Sequence, residues 1–412
     1  MRSFHFVDKA CYRRREDLSL VRRFFLANGW TEAATVEGAD CVLLFTCAEM
    51  RYKVANMTRD VDALARRVGP GRELIVGGCL PKTDPEALAR VFGGRTVTPT
   101  DLTALNELPG VATRIEDLPP LFGVHASCEP APNGHLGAVG GEWRYLTARW
   151  VFSRLRRHAP TARLRDFADR RARARDLAIY VAAGCAKNCS YCAIHFATGA
   201  IRSKPLDSVV QAIAEGLHLG YRTFNLHADS IGGYGRDLGT NLGELFDRVL
   251  ALPGRFTIGI DDLHPHEFLE HFDRIVSLCR AGRLSYLYLP LQSGNERVLR
   301  LMNRGCDVPD LRRKMLAVRR FPAVFLQTCI IVGFPGETEA EFEDSLELVR
   351  AVGFDDVFVH YYCDMPNTPS SRLPGKTDKA TMVRRLAKVE GSGIRYCAAA
   401  SRQEWDANLA LP

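Results

Sequence analysis

Apolar residues recur along this chain in two rhythms. Short runs rich in branched and aromatic residues predict strands, and stretches with apolar positions every three to four residues predict helices between them. The first part carries strand candidates at 3–7, 42–45 and 74–76, with helices at 17–28 and 52–67. From about residue 176 six more strands follow, at 177–183, 223–228, 255–260, 286–292, 325–333 and 356–362. Helices fit between them at 206–219, 243–251, 266–280, 309–319 and 338–351, with a last one at 379–400. Asp207 and Thr338 are placed to cap or charge their helix starts. Strands that alternate with helices predict parallel sheets. The expected fold class is α/β, a doubly wound N-terminal domain followed by a partial barrel of six strand–helix units. The expected boundaries are 1–105 for the first domain, 106–175 for an extended linker, 176–375 for the barrel, and 376–412 for a C-terminal helix and tail.

Composition narrows this little. The chain has 412 residues, 46% hydrophobic and 25% charged, enough for two or three packed domains. No apolar stretch approaches the ~20 residues of a membrane span, and the start, Met1 to Lys9, lacks the apolar block of a secretory signal. Thirteen cysteines without export point to ligation chemistry rather than a disulfide framework. A cytoplasmic monomer with no membrane partner is expected. The net charge of +7 permits a phosphate-bearing partner without requiring one.

The cysteines carry the chemistry. Cys185, Cys189 and Cys192 stand in Gly184-Cys185-Ala186-Lys187-Asn188-Cys189-Ser190-Tyr191-Cys192, a C-x3-C-x2-C spacing. Three thiolates can hold three irons of a [4Fe-4S] cube and leave the fourth open to a chelating small molecule. A structural zinc site would need a fourth ligand, and His195 is the only candidate nearby. The three cysteines follow the first barrel strand, at the strand ends where ligand sites of parallel sheets gather. Other candidates fall at the same ends: Asp229 and Ser230 after the second strand, Gln292 and Ser293 after the fourth, Ile331 and Gly333 at the fifth. The glycines there permit close backbone approach, and the apolar atoms suit the face of an adenine.

In this motif the chain resembles the radical S-adenosylmethionine (SAM) superfamily. The resemblance implies that SAM chelates the open iron, that one electron cleaves it to a hydrogen-abstracting 5′-deoxyadenosyl radical, and that Tyr191 lies near the adenine. The segments Leu289 to Gly294, Arg297 to Leu299, Met302 to Gly305 and Ile330 to Thr338 look like the methylthiotransferase branch. Tyr234-Gly235, His264-Pro265 and Thr368-Pro369 are similar to it too. Cys11, Cys47 and Cys79 each follow a strand of the flavodoxin-like N-terminal domain, so parallel strands would bring them to one edge. Methylthiotransferases hold an auxiliary [4Fe-4S] cluster on three such cysteines, whose open iron binds or delivers sulfur. The resemblance thus implies two clusters, SAM, and a one-electron reductant such as flavodoxin or ferredoxin. Cys41, Cys128, Cys279, Cys306, Cys329, Cys363 and Cys397 read as packing cysteines.

The chain also departs from that branch. Tyr12-Arg13-Arg14-Arg15 follows Cys11, where Asn is usual nearby, and His195-Phe196 replaces a proline and aromatic. Asp229 stands where Gln is usual, Cys329 where Asp is usual, and Asn367 where Gly is usual. His195, His264 and Arg304 are candidate substrate contacts. An arginine-rich run from Arg149 to Arg173 reads as a solvated linker or a phosphate-binding segment. The chain stops at Pro412, about where the branch's tRNA-binding TRAM barrel would begin. The expected activity is C–S bond formation, by methylthiolation or sulfur insertion. Its substrate is expected to be specialised, a natural-product precursor, nucleoside or peptide, in preference to tRNA. The alternatives are a tRNA methylthiotransferase, an epimerase or dehydrogenase that relays electrons through the second cluster, and a non-catalytic RNA-binding protein.

Overall fold

A computed structural model describes residues 2–119, 176–396 and 405–406. The arginine run, Cys128 and Cys397 lie outside the described residues. The first sheet contains β1 (Ser3–Asp8), β2 (Thr31–Glu32), β3 (Cys41–Thr46), β4 (Glu73–Gly78) and β5 (Arg95–Thr96), ordered β2-β1-β3-β4-β5. All its pairings are parallel. This is the flavodoxin-like order, as expected. The period of two along β3 and β4 explains why both faces are covered. Val42, Leu44, Leu74 and Val76 face one way, onto Val54, Val61 and Leu64 of helix Arg51–Val68. Leu43, Phe45 and Ile75 face the other way, onto Phe24 and Phe25 of helix Arg15–Ala27. Leu105, Leu108 and Ile115 pack on this second face, so the chain past residue 105 returns to the first sheet.

The second sheet is built from β6 (Asp176–Tyr180), β9 (Thr223–His227), β10 (Thr257–Ile260), β11 (Leu284–Gln292), β12 (Phe325–Val332) and β13 (Asp356–Tyr361), all parallel and in sequence order. Its end strands β6 and β13 do not pair, so the barrel is partial. A short antiparallel pair, β7 (Ala182–Ala183) with β8 (Arg202–Ser203), closes the base of the cysteine loop. Cross-strand register puts Cys329 beside Phe358 and Ile331 beside His360. With Tyr288 they share the face opposite the helix-packed core.

The differences from expectation have local causes. The helix expected at 266–280 is two, Pro265–Glu270 and Phe272–Arg280, broken at His271. The last helix ends at Gly391 rather than 400, where Gly393 takes a left-handed φ of 74°. Helix Glu296–Leu301 is too short for its periodicity to show. Asp207 lies in the first turn of its helix, and Thr338 forms a full capping box with Glu341.

Candidate functional site

The cysteine loop begins with a backbone only glycine can adopt. Gly184 has a φ of +84°, and a Cβ there would stand 2.1 Å from the Ala200 oxygen. The loop is then pinned from outside. Ser190 donates its N–H to Met302 O (2.9 Å) and its hydroxyl to Leu301 O (2.7 Å), and Asn303 Nδ2 donates to Asn188 O (2.9 Å). Lys187 pairs with the fully buried Glu267. Each sulfur has donors beside it, as a thiolate ligand needs. Cys185 accepts from Lys187 N (3.4 Å) and from the Ser230 hydroxyl. Cys189 accepts from Arg304 Nη1 (3.3 Å), and Cys192 from the backbone of Ile194 and His195. Without a metal, burial and the neighbouring Cys189 push the Cys192 thiol up to about 12.

Arg304 and His264 leave a telling gap. Arg304 Nη2 donates to Pro290 O at 2.7 Å, but its buried Nε has no partner. His264 Nδ1 accepts from His266 N at 3.1 Å, which leaves its proton on Nε2, also buried and unpartnered. Burial, then the charge of Arg304, keep this imidazole neutral. Two orphaned N–H donors near the cysteine loop call for an acceptor. A carboxylate of a small chelating ligand meets that need.

The first sheet brings Cys11, Cys47 and Cys79 to the carboxyl ends of the adjacent strands β1, β3 and β4. Cys11 and Cys47 hydrogen-bond to each other. That bond is the chief reason the Cys11 thiol falls below its ordinary range and the Cys47 thiol rises above it. Cys79 is raised by burial. Among the described residues, no three His, Cys, Asp or Glu side chains are grouped as ligands of one metal ion. A cube takes each thiolate at a different corner, so three thiols at one sheet edge suit it without converging on a single ion. His195, the would-be zinc ligand, lies 4.0 Å from the ring of Phe196 and keeps a buried, unpartnered Nδ1.

The two cysteine sets meet across an apolar seam. Ala193 and Ala197, just past Cys192, pack in one core with Ala48, Cys79, Leu80 and Met365. Beside the seam runs a polar one. Tyr12 donates to Asp261 Oδ2 (2.6 Å), Arg13 Nη1 to Asp262 Oδ2 (2.5 Å), and Arg14 Nη2 to both oxygens of Asp229 (2.5 and 2.6 Å). These contacts, absent from the sequence reading, have a visible signal: an arginine run after one cysteine and an Asp pair after a barrel strand.

The remaining candidates are placed as follows. Tyr191 lies 6.5 Å from Phe334, edge to face. Asp229 spends its carboxylate on Arg14 and on the Gly184 N–H (2.9 Å). Gln292, with a left-handed φ of 68°, accepts from the Cys329 thiol at 3.5 Å. Ser293 is buried against Ser345 (3.3 Å). Ile331 faces the lumen beside His360. Gly333 is tight against Met382, where a Cβ would meet Cγ at 2.7 Å.

Residues 179–349 match the Radical SAM superfamily, and residues 4–97 match Uncharacterized protein family UPF0004. A probable threonylcarbamoyladenosine tRNA methylthiotransferase of Pyrococcus horikoshii is 28% identical over 370 residues, covering 89% of this chain and 78% of that protein. A tRNA-2-methylthio-N(6)-dimethylallyladenosine synthase of Dichelobacter nodosus is 28% identical over 394 residues, covering 91% and 76%. Among solved structures, the radical SAM methyltransferase TsrM of Kitasatospora setae superposes with a TM-score of 0.56 at 14% identity, over 90% of this chain and 74% of that one. At that identity the likeness concerns fold alone.

Proposed function

Because the chain belongs to the radical SAM superfamily, in its methylthiotransferase-like branch, with SAM and two [4Fe-4S] clusters as cofactors, we propose that it installs a methylthio group on an adenosine of tRNA. The observation that carries this reading is the seam that sets Cys192's neighbours against those of Cys47 and Cys79. Radical formation and sulfur delivery need to share one chamber. Cys185, Cys189 and Cys192 would hold the SAM-binding cluster, and Cys11, Cys47 and Cys79 the auxiliary one. When bound, these groups supply the electron, the hydrogen-abstracting radical and the sulfur. The protein orients them. Arg304 Nε and His264 Nε2 would donate to the SAM carboxylate, and Tyr191 with Phe334 would offer an aromatic surface to its adenine.

The substrate half of the proposal rests on the relatives, one named as a tRNA methylthiotransferase and the other as a tRNA-2-methylthio-N(6)-dimethylallyladenosine synthase. They favour tRNA over the specialised substrate expected from the sequence. The lumen is compatible with a flat base. Phe358 stacks with His360 (6.1 Å, 19°) and meets Tyr288 edge to face (6.4 Å, 85°). A flavodoxin- or ferredoxin-type donor would supply the electron. No described helix is long and apolar enough to cross a membrane.

The test is anaerobic turnover with SAM, a reductant, sulfide and tRNA lacking the modification. Nucleoside mass spectrometry should find a methylthioadenosine derivative that carries label from methyl-labelled SAM. Release of 5′-deoxyadenosine with no change in the tRNA, and labelled sulfur in a small molecule or peptide instead, would restore the specialised substrate. A product without sulfur would point to epimerisation or dehydrogenation.

A further inference from the structure

Both carboxylate oxygens of Asp229 are engaged, and by two different parts of the chain. Arg14 Nη2 lies 2.5 Å from Oδ1 and 2.6 Å from Oδ2, and the Gly184 N–H donates to Oδ2 at 2.9 Å. Arg14 stands three residues after Cys11, and Gly184 immediately precedes Cys185. One carboxylate therefore ties the start of one cysteine set to the start of the other. We propose that Asp229 and Arg14 form a positioning clamp that fixes the auxiliary cysteine loop at its working distance from the radical cysteine loop. This rests on the two-cluster reading above.

The surroundings over-determine the clamp. The Arg14 and Asp229 side chains are 3% and 5% exposed. Arg14 Nη1 also holds Asp17 (3.2 Å), and Arg13 Nη1 reaches the Asp229 carbonyl (3.4 Å) as well as Asp262. Tyr12 bonds Asp261, which also bonds His227 Nδ1 (2.9 Å), and Tyr180 donates to the Tyr12 carbonyl (2.6 Å). Every residue from Tyr12 to Arg14 is thus anchored at the carboxyl ends of β6, β9 and β10.

Stability alone is a poor reason for such a pair. Desolvating two charges offsets most of their attraction, and packed apolar side chains would serve as well. A charge-assisted contact from one guanidinium nitrogen to both carboxylate oxygens, with the other terminal nitrogen held by Asp17, instead gives direction. The apolar seam through Ala193, Ala197 and Leu80 could slide, whereas a guanidinium on two carboxylate oxygens cannot without losing bonds. Direction matters because the carbon radical must form where the sulfur waits, and small misplacements cost large factors in rate. Asp229 is a positioning residue on this account, since its oxygens are already occupied.

The experiment compares the reconstituted full chain with Arg14→Lys, which keeps the charge but loses the fork, and with the near-isosteric Asp229→Asn. Three quantities are read: iron content, hydrogen exchange of residues 10–16, and the spin–spin interaction of the two reduced clusters. Both variants should keep the wild-type iron. Exchange at 10–16 should rise at least tenfold, and the inter-cluster splitting should broaden or shrink. Thiolated product per 5′-deoxyadenosine should fall at least tenfold. The exchanged pair Arg14→Asp with Asp229→Arg should recover part of the splitting, which a loss through misfolding would not allow. Unchanged exchange and unchanged splitting in both single variants would overturn the clamp. If either variant loses iron, the pair has a folding role, and that too overturns it. A wild-type protein that holds only one cluster would sink the two-cluster reading instead. Hydrogen exchange at 10–16 distinguishes the two failures, since it reports the clamp without reference to the second cluster.

Discussion

Arg304 places Nη1 3.3 Å from the sulfur of Cys189 while its own Nε, also buried, has no partner. A positive N–H donor on a ligating sulfur stabilises the more negative, reduced state of a cluster. Arg304→Met should therefore lower the potential of the SAM-binding cluster and weaken SAM binding about 10- to 100-fold, since a hydrogen bond to a charged group is worth about 1.5–3 kcal/mol. Redox titration and equilibrium SAM binding check both effects. Arg304→Lys should keep part of the potential but not the affinity, because one ammonium cannot serve the sulfur, Pro290 O and a carboxylate together. An unchanged potential in Arg304→Met would remove Arg304 from the site.

Gly184 offers a backbone test of the same loop. Its φ of +84° and the 2.1 Å approach of the Ala200 oxygen leave no room for a Cβ. Gly184→Ala should cost about half of the iron after anaerobic reconstitution, because two four-iron cubes imply about eight irons. Gly336→Ala is the control: its φ is +76° but nothing lies within 4 Å of the added carbon. That change should cost only about 1 kcal/mol of stability and leave the iron unchanged. Equal iron loss in both would show that the loop does not depend on this close approach.

Much of this site was legible in the sequence, and the reason is local. Strand ends follow from hydrophobic period, and a ligand loop in a parallel sheet follows strand ends, so Cys11, Cys47, Cys79 and the Cys185–Cys192 loop could be placed without coordinates. Pairing was not legible. Arg14 and Asp229 both stood out as departures, but 215 positions separate them, and periodicity says nothing about which charge meets which. Gly333 shows a related limit. A glycine signals a close approach without naming the neighbour, and the neighbour is Met382.

Stability should depend on a second buried pair. Arg385 Nη1 lies 2.6 Å from Glu337, whose carboxyl is pushed up to about 7 because burial outweighs the pull of Arg385. The folded state thus takes up a proton between the ordinary value of 4.5 and about 7, so this group's contribution to stability falls as pH rises through that window. Arg385→Met strands the carboxylate and should cost about 3–5 kcal/mol at pH 8. The deficit should shrink at pH 6, where Glu337 can be protonated. Thermal melts of both proteins at the two pH values check the sign. A deficit independent of pH would mean that Arg385 acts through packing on Phe342, 5.1 Å away.

The two cysteine sets should also separate chemically. Cys47 lies at the end of β3, hydrogen-bonded to Cys11 and on a different sheet from the SAM-binding loop. Cys47→Ala should weaken or remove the auxiliary cluster while leaving Cys185, Cys189, Cys192 and the Arg304 contact untouched. Reductive release of 5′-deoxyadenosine should then persist near the wild-type rate, and C–S bond formation should vanish. Cys189→Ala should abolish both, because the cube that binds SAM is lost with it. Ala at Cys11, Cys47 and Cys79 together should leave about four irons, those of one cube. Full iron retention in that triple variant, or thiolated product from Cys47→Ala at the normal rate, would mean that the first sheet holds no sulfur-donating cluster. The three strand-end thiols would then be packing residues of the seam.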